Sequence, residues 1–220
     1  MDNNVGNVNN GVNDYTLRYA RGPVAVRAYH HGNLRTALLE QAERSVREDG
    51  VERLSLRGLA RQIGVSHAAP RRHFADRQAL LDALAEAGFT RLGAELRHAM
   101  EQAGEQFEPR LQATAGAYVR FATRDAALLE LMFAGKHNQP SAAVQQAASG
   151  ALSVLFELVE QGQAEGVLEQ GEPGRVGLVL FATVQGIAAV VNGGIVDADR
   201  SEVLVADAIA HFLRGPSGAA

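Results

Sequence analysis

Arg57, Arg61, Arg71, Arg72 and Arg77, with His67 and His73, crowd into residues 54–81 (LSLRGLARQIGVSHAAPRRHFADRQALL) against one acid, Asp76. Guanidinium groups at this density present forked donors that match phosphate oxygens and the guanine edge. The two imidazoles add further ring N–H donors. These residue types favour gripping and reading a polyanion, not breaking bonds.

Two short helical patterns would position them. Leu56, Leu59, Ala60 and Ile63 recur on one helical face, and Ser55 is placed to cap that helix. Gly64 is its stop signal, since glycine alone enters the left-handed region without a steric penalty. Val65 fills the corner, and Ser66 is placed to cap a second short helix reaching about His73 and Phe74. The spacing predicts a helix-turn-helix. Pro70 lacks an N–H and lies one turn into the second helix, so that helix is expected to be short and partly 3₁₀. Asp76 then opens a longer helix through Leu80, Leu81 and Leu84 to beyond Phe89, while upstream Leu34, Ala37, Leu38, Ala42 and Val46 form one stripe ending at Gly50.

With these residues in place, residues 30–92 resemble the DNA-binding domain of the TetR (tetracycline-repressor-like) family of transcriptional regulators. The resemblance rests on HGNLRTALLEQA, on LSLRGLARQIGVS, and on His-Phe followed by Asp-Arg and Ala-Leu-Leu. It implies that Ser55, Arg71, His73 and Arg77 meet phosphates, while Arg57, His67, Ala68, Ala69 and Arg72 face the major groove. Bidentate pairing of Arg57 and Arg72 with guanine, and packing of the alanines on thymine methyls, would read sequence. Arg71 stands where most members have tyrosine, and Arg77 where many have lysine; arginine serves a phosphate at least as well as either. For each arginine the alternative is a solvated surface charge, and for His73 a packing role.

The charge distribution points the same way without the family. Residues 16–80 carry 12 Lys and Arg against 6 Asp and Glu, a net +6, whereas the rest of the 220-residue chain carries 9 against 19, for an overall −4. The asymmetry matters more than the total. Residues 1–29, rich in Asn and Gly, read as a disordered arm, 30–80 as the helix-turn-helix domain, 81–214 as a second all-helical domain, and 215–220 as a flexible tail. Arg18, Arg21 and Arg27 would let that arm reach a minor groove; the other reading is an idle tail.

Helical patterns cover residues 110–123, 124–133, 141–163, 175–193 and 201–213, and nothing alternates as a strand would, so the fold class is all-α. Residues 176–196 hold no charge across 21 positions, long enough to be scored as a membrane span. Gln185, Asn192 and the glycines dilute it and no basic cluster flanks it, so it reads as a helix covered by its own core on one side and a partner on the other. Ala182, Gly186, Ala189 and Val190, with Val203, Ile209, Phe212 and Leu213 of the last helix, are the expected homodimer interface. In the family the last two helices of each subunit commonly build a four-helix bundle across a two-fold axis. Two recognition helices would then meet half-sites about 34 Å apart.

The family also implies a small-molecule effector in the second domain that lowers operator affinity. Candidate pocket walls are Phe89, Tyr118, Phe121, Met132, Phe133, Phe156 and Phe181, with Gln185 as a polar contact; ordinary core is the alternative for each aromatic. One subgroup of the family carries a Trp and a His-Gly pair in its penultimate helix, where this chain has Phe181 and Gln185-Gly186. Catalysis finds no support: there is no G-x-S-x-G elbow, phosphate-cradling glycine loop or dinucleotide fingerprint. The 7 histidines show no helical metal spacing and there is no cysteine, so neither a metal nor a cofactor is expected. The reading is a cytoplasmic, non-membrane, dimeric regulator of double-stranded operator DNA, released by ligand. A constitutive regulator whose second domain only dimerises, and more remotely an all-α enzyme or adaptor, are the alternatives.

Overall fold

The computed structural model of the chain describes residues 34–134 and 140–214; the arm read over residues 1–29 and the tail 215–220 lie outside the described residues. Among the described residues every regular element is helical.

Helix α1 (Leu34–Asp49) buries Ala37, Leu38, Ala42 and Val46 of the expected stripe and also Ser45, while Leu34 at its start is half-buried. Gly50 ends it at φ +80°, and a 3₁₀ turn, Val51–Arg53, leads into α2 (Leu56–Ile63). Ser55 Oγ caps α2 by accepting from the Gly58 N–H at 3.1 Å. At the other end Gly64 sits at φ +74°, the Gly64 N–H donates to Arg61 O and the Val65 N–H to Ala60 O at 2.9 Å. Those bonds absorb carbonyls that the helix end would otherwise leave unpaired.

The next segment is tighter than an α-helix. Ser66 contributes its carbonyl, accepting from the Ala69 N–H at 3.0 Å, and Pro70–Arg72 form a 3₁₀ turn whose Pro70 carbonyl accepts from both His73 and Phe74. An α-helix begun at Ser66 would need an N–H that Pro70 lacks, and the ring would press on the Ser66 carbonyl. Pro70 and Phe74 are buried, so the turn is pinned at both ends. Asp76 then accepts from the Ala79 N–H at 2.8 Å and opens α3 (Arg77–Gln102), 26 residues and about 39 Å long.

The remaining helices are α4 (Phe107–Arg124), α5 (Ala126–Phe133), α6 (Ala142–Ala164), α7 (Pro173–Asn192) and α8 (Ser201–Arg214). Glu172 caps α7 by accepting from the Gly174 and Arg175 N–H groups, and Pro173 takes the first helical position, where no N–H is missed. Helices α3 and α6 approach to near backbone contact, since a Cβ at Gly93 would lie 3.1 Å from Ala151 Cα. The uncharged run over residues 176–196 is not one helix. Helix α7 stops at Asn192, Gly194 turns at φ +67°, and the Ile195 N–H folds back to Val190 O. By length and composition α6 and α7 are each apolar enough to cross a membrane. Both pack here into a helical body, α7 burying Val176, Leu180, Val184, Ala188 and Val191 against α4, α6 and α8.

From Leu34 onward the chain is one compact unit holding two apolar clusters. One joins α1, α2 and the start of α3 through Leu38, Val46, Leu59, Phe74, Leu80 and Leu84; the other fills the space among α3 to α8. Leu131 of α5 touches both, and residues 80 and 81 lie inside α3, so the head and the body share a continuous helix.

An ionic knot ties them a second time. Asp125, 3% exposed, receives Arg47 of α1 at 2.8 Å, Arg124 at 2.8 Å and Arg91 of α3 at 3.3 Å. Glu43 of α1 pairs with both Arg47 and Arg91, and Glu95 of α3 with Arg124. Burial pushes the Asp125 carboxyl up, but hydrogen bonds from Arg47 and Arg124 and the charges of Arg124 and Arg91 outweigh it and hold the group below its ordinary 3.8. A lowered carboxyl stabilises the fold above its unfolded value and loses that contribution as pH falls through the folded one. The head should therefore loosen from the body below about pH 4. Asp125→Asn is expected to cost about 1 to 2 kcal/mol in urea denaturation at pH 7, because three cations lose their shared anion but remain partly screened by water, and to flatten the acid limb of the stability profile.

Candidate nucleic-acid interface and interior cavity

On the head, the residues expected to meet DNA fall on the outer surface. Ser55, Arg57, His67, Ala68, Arg71, Arg72 and His73 are exposed and Ala69 is half-buried. Exposure removes the packing alternative for His73. Among the described residues none of Arg57, Arg71, Arg72, His67 and His73 makes an ion pair or a side-chain hydrogen bond. Arg61, to which the spacing argument assigned no role, is likewise exposed and lies one turn beyond Arg57 on α2. Its i, i+4 spacing was the available signal.

Arg77 is different. Its Nε donates to Leu54 O at 3.0 Å and its Nη2 to Val51 O at 2.7 Å, so two of its three nitrogens hold the loop ahead of α2. The expectation gave it to phosphate; the structure makes it first a clamp on the head, with Nη1 left over. Arg35 likewise works inward, lying 5.6 Å over the Phe74 ring.

The body contains a small cavity among α3, α4, α6 and α7, with space of about 30 Å³, room for one water. Of the eight expected wall residues, Phe89, Tyr118 and Phe181 line it. The other five do not. Phe121 is fully buried, with the guanidinium groups of Arg91 and Arg124 5.3 and 5.4 Å from its ring centre. Met132 packs against Gly88, and Phe133 backs the wall from behind, 5.4 Å from Phe89 and 5.8 Å from Phe181. Phe156, 38% exposed, lies against Gly177, while Gln185 is half-buried on α7 away from the cavity. Aromatic content alone missed the aliphatic walls, among them Leu92, Leu96, Leu111, Leu155 and Leu180.

The cavity's polar groups come from one face of α4. Thr114 Oγ1 and Tyr118 Oη are buried with no hydrogen-bond partner, and Tyr118 meets Phe181 edge-on at 5.5 Å. Burial pushes the Tyr118 hydroxyl well up from its ordinary value, so it stays a neutral donor. Thr114 went unnoticed in the sequence, although it sits one turn before Tyr118.

The expected dimer residues divide. Ala182, Gly186 and Ala189 are exposed on α7 beside Leu178 (65% exposed) and Val179, and Val203 is exposed on α8. Val190, Phe212 and Leu213 are half-buried. Ile209 is 1% exposed and meets its own chain's core, so it is withheld from any partner.

Comparison with known proteins agrees with this layout. Residues 38–84 match the family model described as bacterial regulatory proteins, tetR family, and residues 111–212 the one described as tetracyclin repressor-like, C-terminal domain. No curated protein sequence matches the chain. A solved structure from Rhodococcus sp. RHA1, described as a protein with unknown function, is 46% identical, covers 86% of this chain and 98% of its own, and superposes with a TM-score of 0.79. The fold is shared with PfmR, a TetR family transcriptional regulator from Thermus thermophilus, at 20% identity, 81% and 98% coverage and a TM-score of 0.64. It is shared too with FadR of Bacillus halodurans, a fatty acid degradation regulator, at 17% identity, 82% and 98% coverage and a TM-score of 0.68. The all-helical chain, with a helix-turn-helix head and a tetracycline-repressor-like body, belongs to the TetR family of transcriptional regulators.

Proposed function

We propose that the chain is a cytoplasmic, non-catalytic homodimer that represses transcription from a near-palindromic operator and releases it when a small molecule enters the body. The observation that carries this reading is the path of α3. One face of that helix lines the cavity with Phe89, Leu92 and Leu96, its first turns sit in the head cluster through Leu80, Leu81 and Leu84, and Arg91 joins the knot to α1. A ligand that prefers a wider cavity thereby acts on head position, and any differential affinity for the two states shifts the equilibrium. Residues 30–80 serve as the DNA-reading part and 81–214 as the ligand-binding and dimerising part, hinged within α3.

The exposed α7 face through Leu178, Val179, Ala182, Gly186 and Ala189 supports the dimer, since small residues admit a second helix closely and apolar ones gain from being covered. Two heads joined this way make the second half-site contact intramolecular. A second reading, the constitutive regulator, is favoured by the cavity's size, because pockets that hold drug-sized ligands run to roughly 300 Å³ or more. Gel-shift titration on the protein's own upstream DNA with fractionated metabolite pools separates the two. Release by at least one fraction is expected, and stable complexes with all of them would leave the constitutive reading.

Arg72→Ala should cost about 1 to 3 kcal/mol of operator affinity and relax preference at one base pair. Arg71→Ala should weaken every sequence alike and shallow the salt dependence by about one unit in log–log slope. Binding isotherms on operator and scrambled duplexes at several salt concentrations read both. Arg77→Ala should also lower the head's melting temperature, which the other two leave unchanged. Ala189→Glu should convert the dimer to monomers in sedimentation velocity; an unchanged profile would move the interface elsewhere.

A further inference from the structure

The cavity's chemistry narrows what can enter it. Among the described residues its lining is aliphatic and aromatic apart from Thr114 and Tyr118, 4% and 5% exposed, and no charged side chain borders it. A carboxylate or phosphate placed there would lose its hydration with no cation in return, a cost far above any gain from the surrounding leucines. Of the arginines on the surrounding helices, Arg47, Arg91 and Arg124 are committed to Asp125, Glu43 and Glu95, and Arg110, one turn before Thr114, donates to Gln161 and does not line the space.

The two hydroxyls supply the positive selection. A buried hydroxyl without a partner is costly, and two of them stand one helical turn apart on residues that line the space, their oxygens just beneath its apolar surface. Both are neutral donors, so one oxygen with two lone pairs can accept from both at once. We propose that the site takes an uncharged, mainly aliphatic molecule carrying a single carbonyl or hydroxyl oxygen, which is seated on Thr114 Oγ1 and Tyr118 Oη. This rests on the ligand-responsive reading and specifies its ligand. Space for the aliphatic part comes from the outer wall, where Leu152, Leu155 and Phe181 are only half-buried and can change rotamer toward solvent. The opposite wall cannot yield as easily, because Gly93 and Ala151 bring α3 and α6 almost to backbone contact.

The test uses the full-length protein and two probes of equal chain length, octan-2-one and octanoate, at pH 7 by calorimetry. Octan-2-one should bind and octanoate at least tenfold more weakly. Thr114→Val and Tyr118→Phe each remove an unpaired buried hydroxyl, so both should fold with melting temperatures equal to or above the parent's. Each should bind octan-2-one at least tenfold more weakly than the parent does. Octanoate binding as tightly as the ketone, undiminished ketone binding in both variants, or no ketone binding at all would each overturn the proposal. Operator release is read in parallel. Ketone bound without release sinks the switch and leaves this ligand class standing, whereas release by a metabolite fraction with no ketone bound does the reverse.

Discussion

A carboxylate in a protein interior must be matched by positive charge, and at Asp125 that requirement organises the molecule. The group sits at the junction of α4 and α5, but the cations that neutralise it come from α1, α3 and α4. Its satisfaction therefore depends on the head being seated against the body. Half-exposed arginines around a buried anion hold direction better than they hold energy, since water screens their outer faces. The apolar contact at Leu131 supplies non-directional adhesion across the same seam. Together they give a junction in which directional ion pairs and apolar contact act on the same seam.

The arginines fall into two populations that composition does not separate. Arg47, Arg91 and Arg124 are consumed by internal carboxylates, and Arg77 by the carbonyls of Val51 and Leu54. Arg57, Arg61, Arg71 and Arg72 remain on the head's surface. Long-range attraction toward a polyanion follows the total charge of the head, whereas the second population has guanidinium groups left to offer at short range.

Much of the fold was legible because local chemistry and tertiary structure agree. Ser55 and Asp76 cap the helices their positions predicted, Gly64 ends α2, and the apolar periodicities of α1 and α4 to α8 placed those helices within a few residues. Pro70 foretold the 3₁₀ turn for the same reason, a missing N–H that no distant contact can supply. The illegible parts are those decided by distance along the chain. Nothing near Asp125 says that Arg47, 78 residues earlier, is its partner. The pocket walls failed similarly: aromatic rings were marked by type, but Phe121 went beneath two arginines and Phe156 to the surface, while leucines spread over α3, α4, α6 and α7 took their place. Thr114 was invisible until burial showed it to lack a partner.

Pro70 and Phe74 anchor the recognition turn from inside, while His67, Ala68, Arg71 and Arg72 stand outside it without supporting it. Buried scaffold and exposed surface thus fall to different residues of an eight-residue stretch from 67 to 74. Exchanging the outer side chains leaves the scaffold's bonds untouched, so a lineage can change the chemistry of this surface by single substitutions without passing through an unfolded intermediate. The stiffness of the proline turn, which looks like a defect in a recognition helix, is then a source of evolutionary freedom.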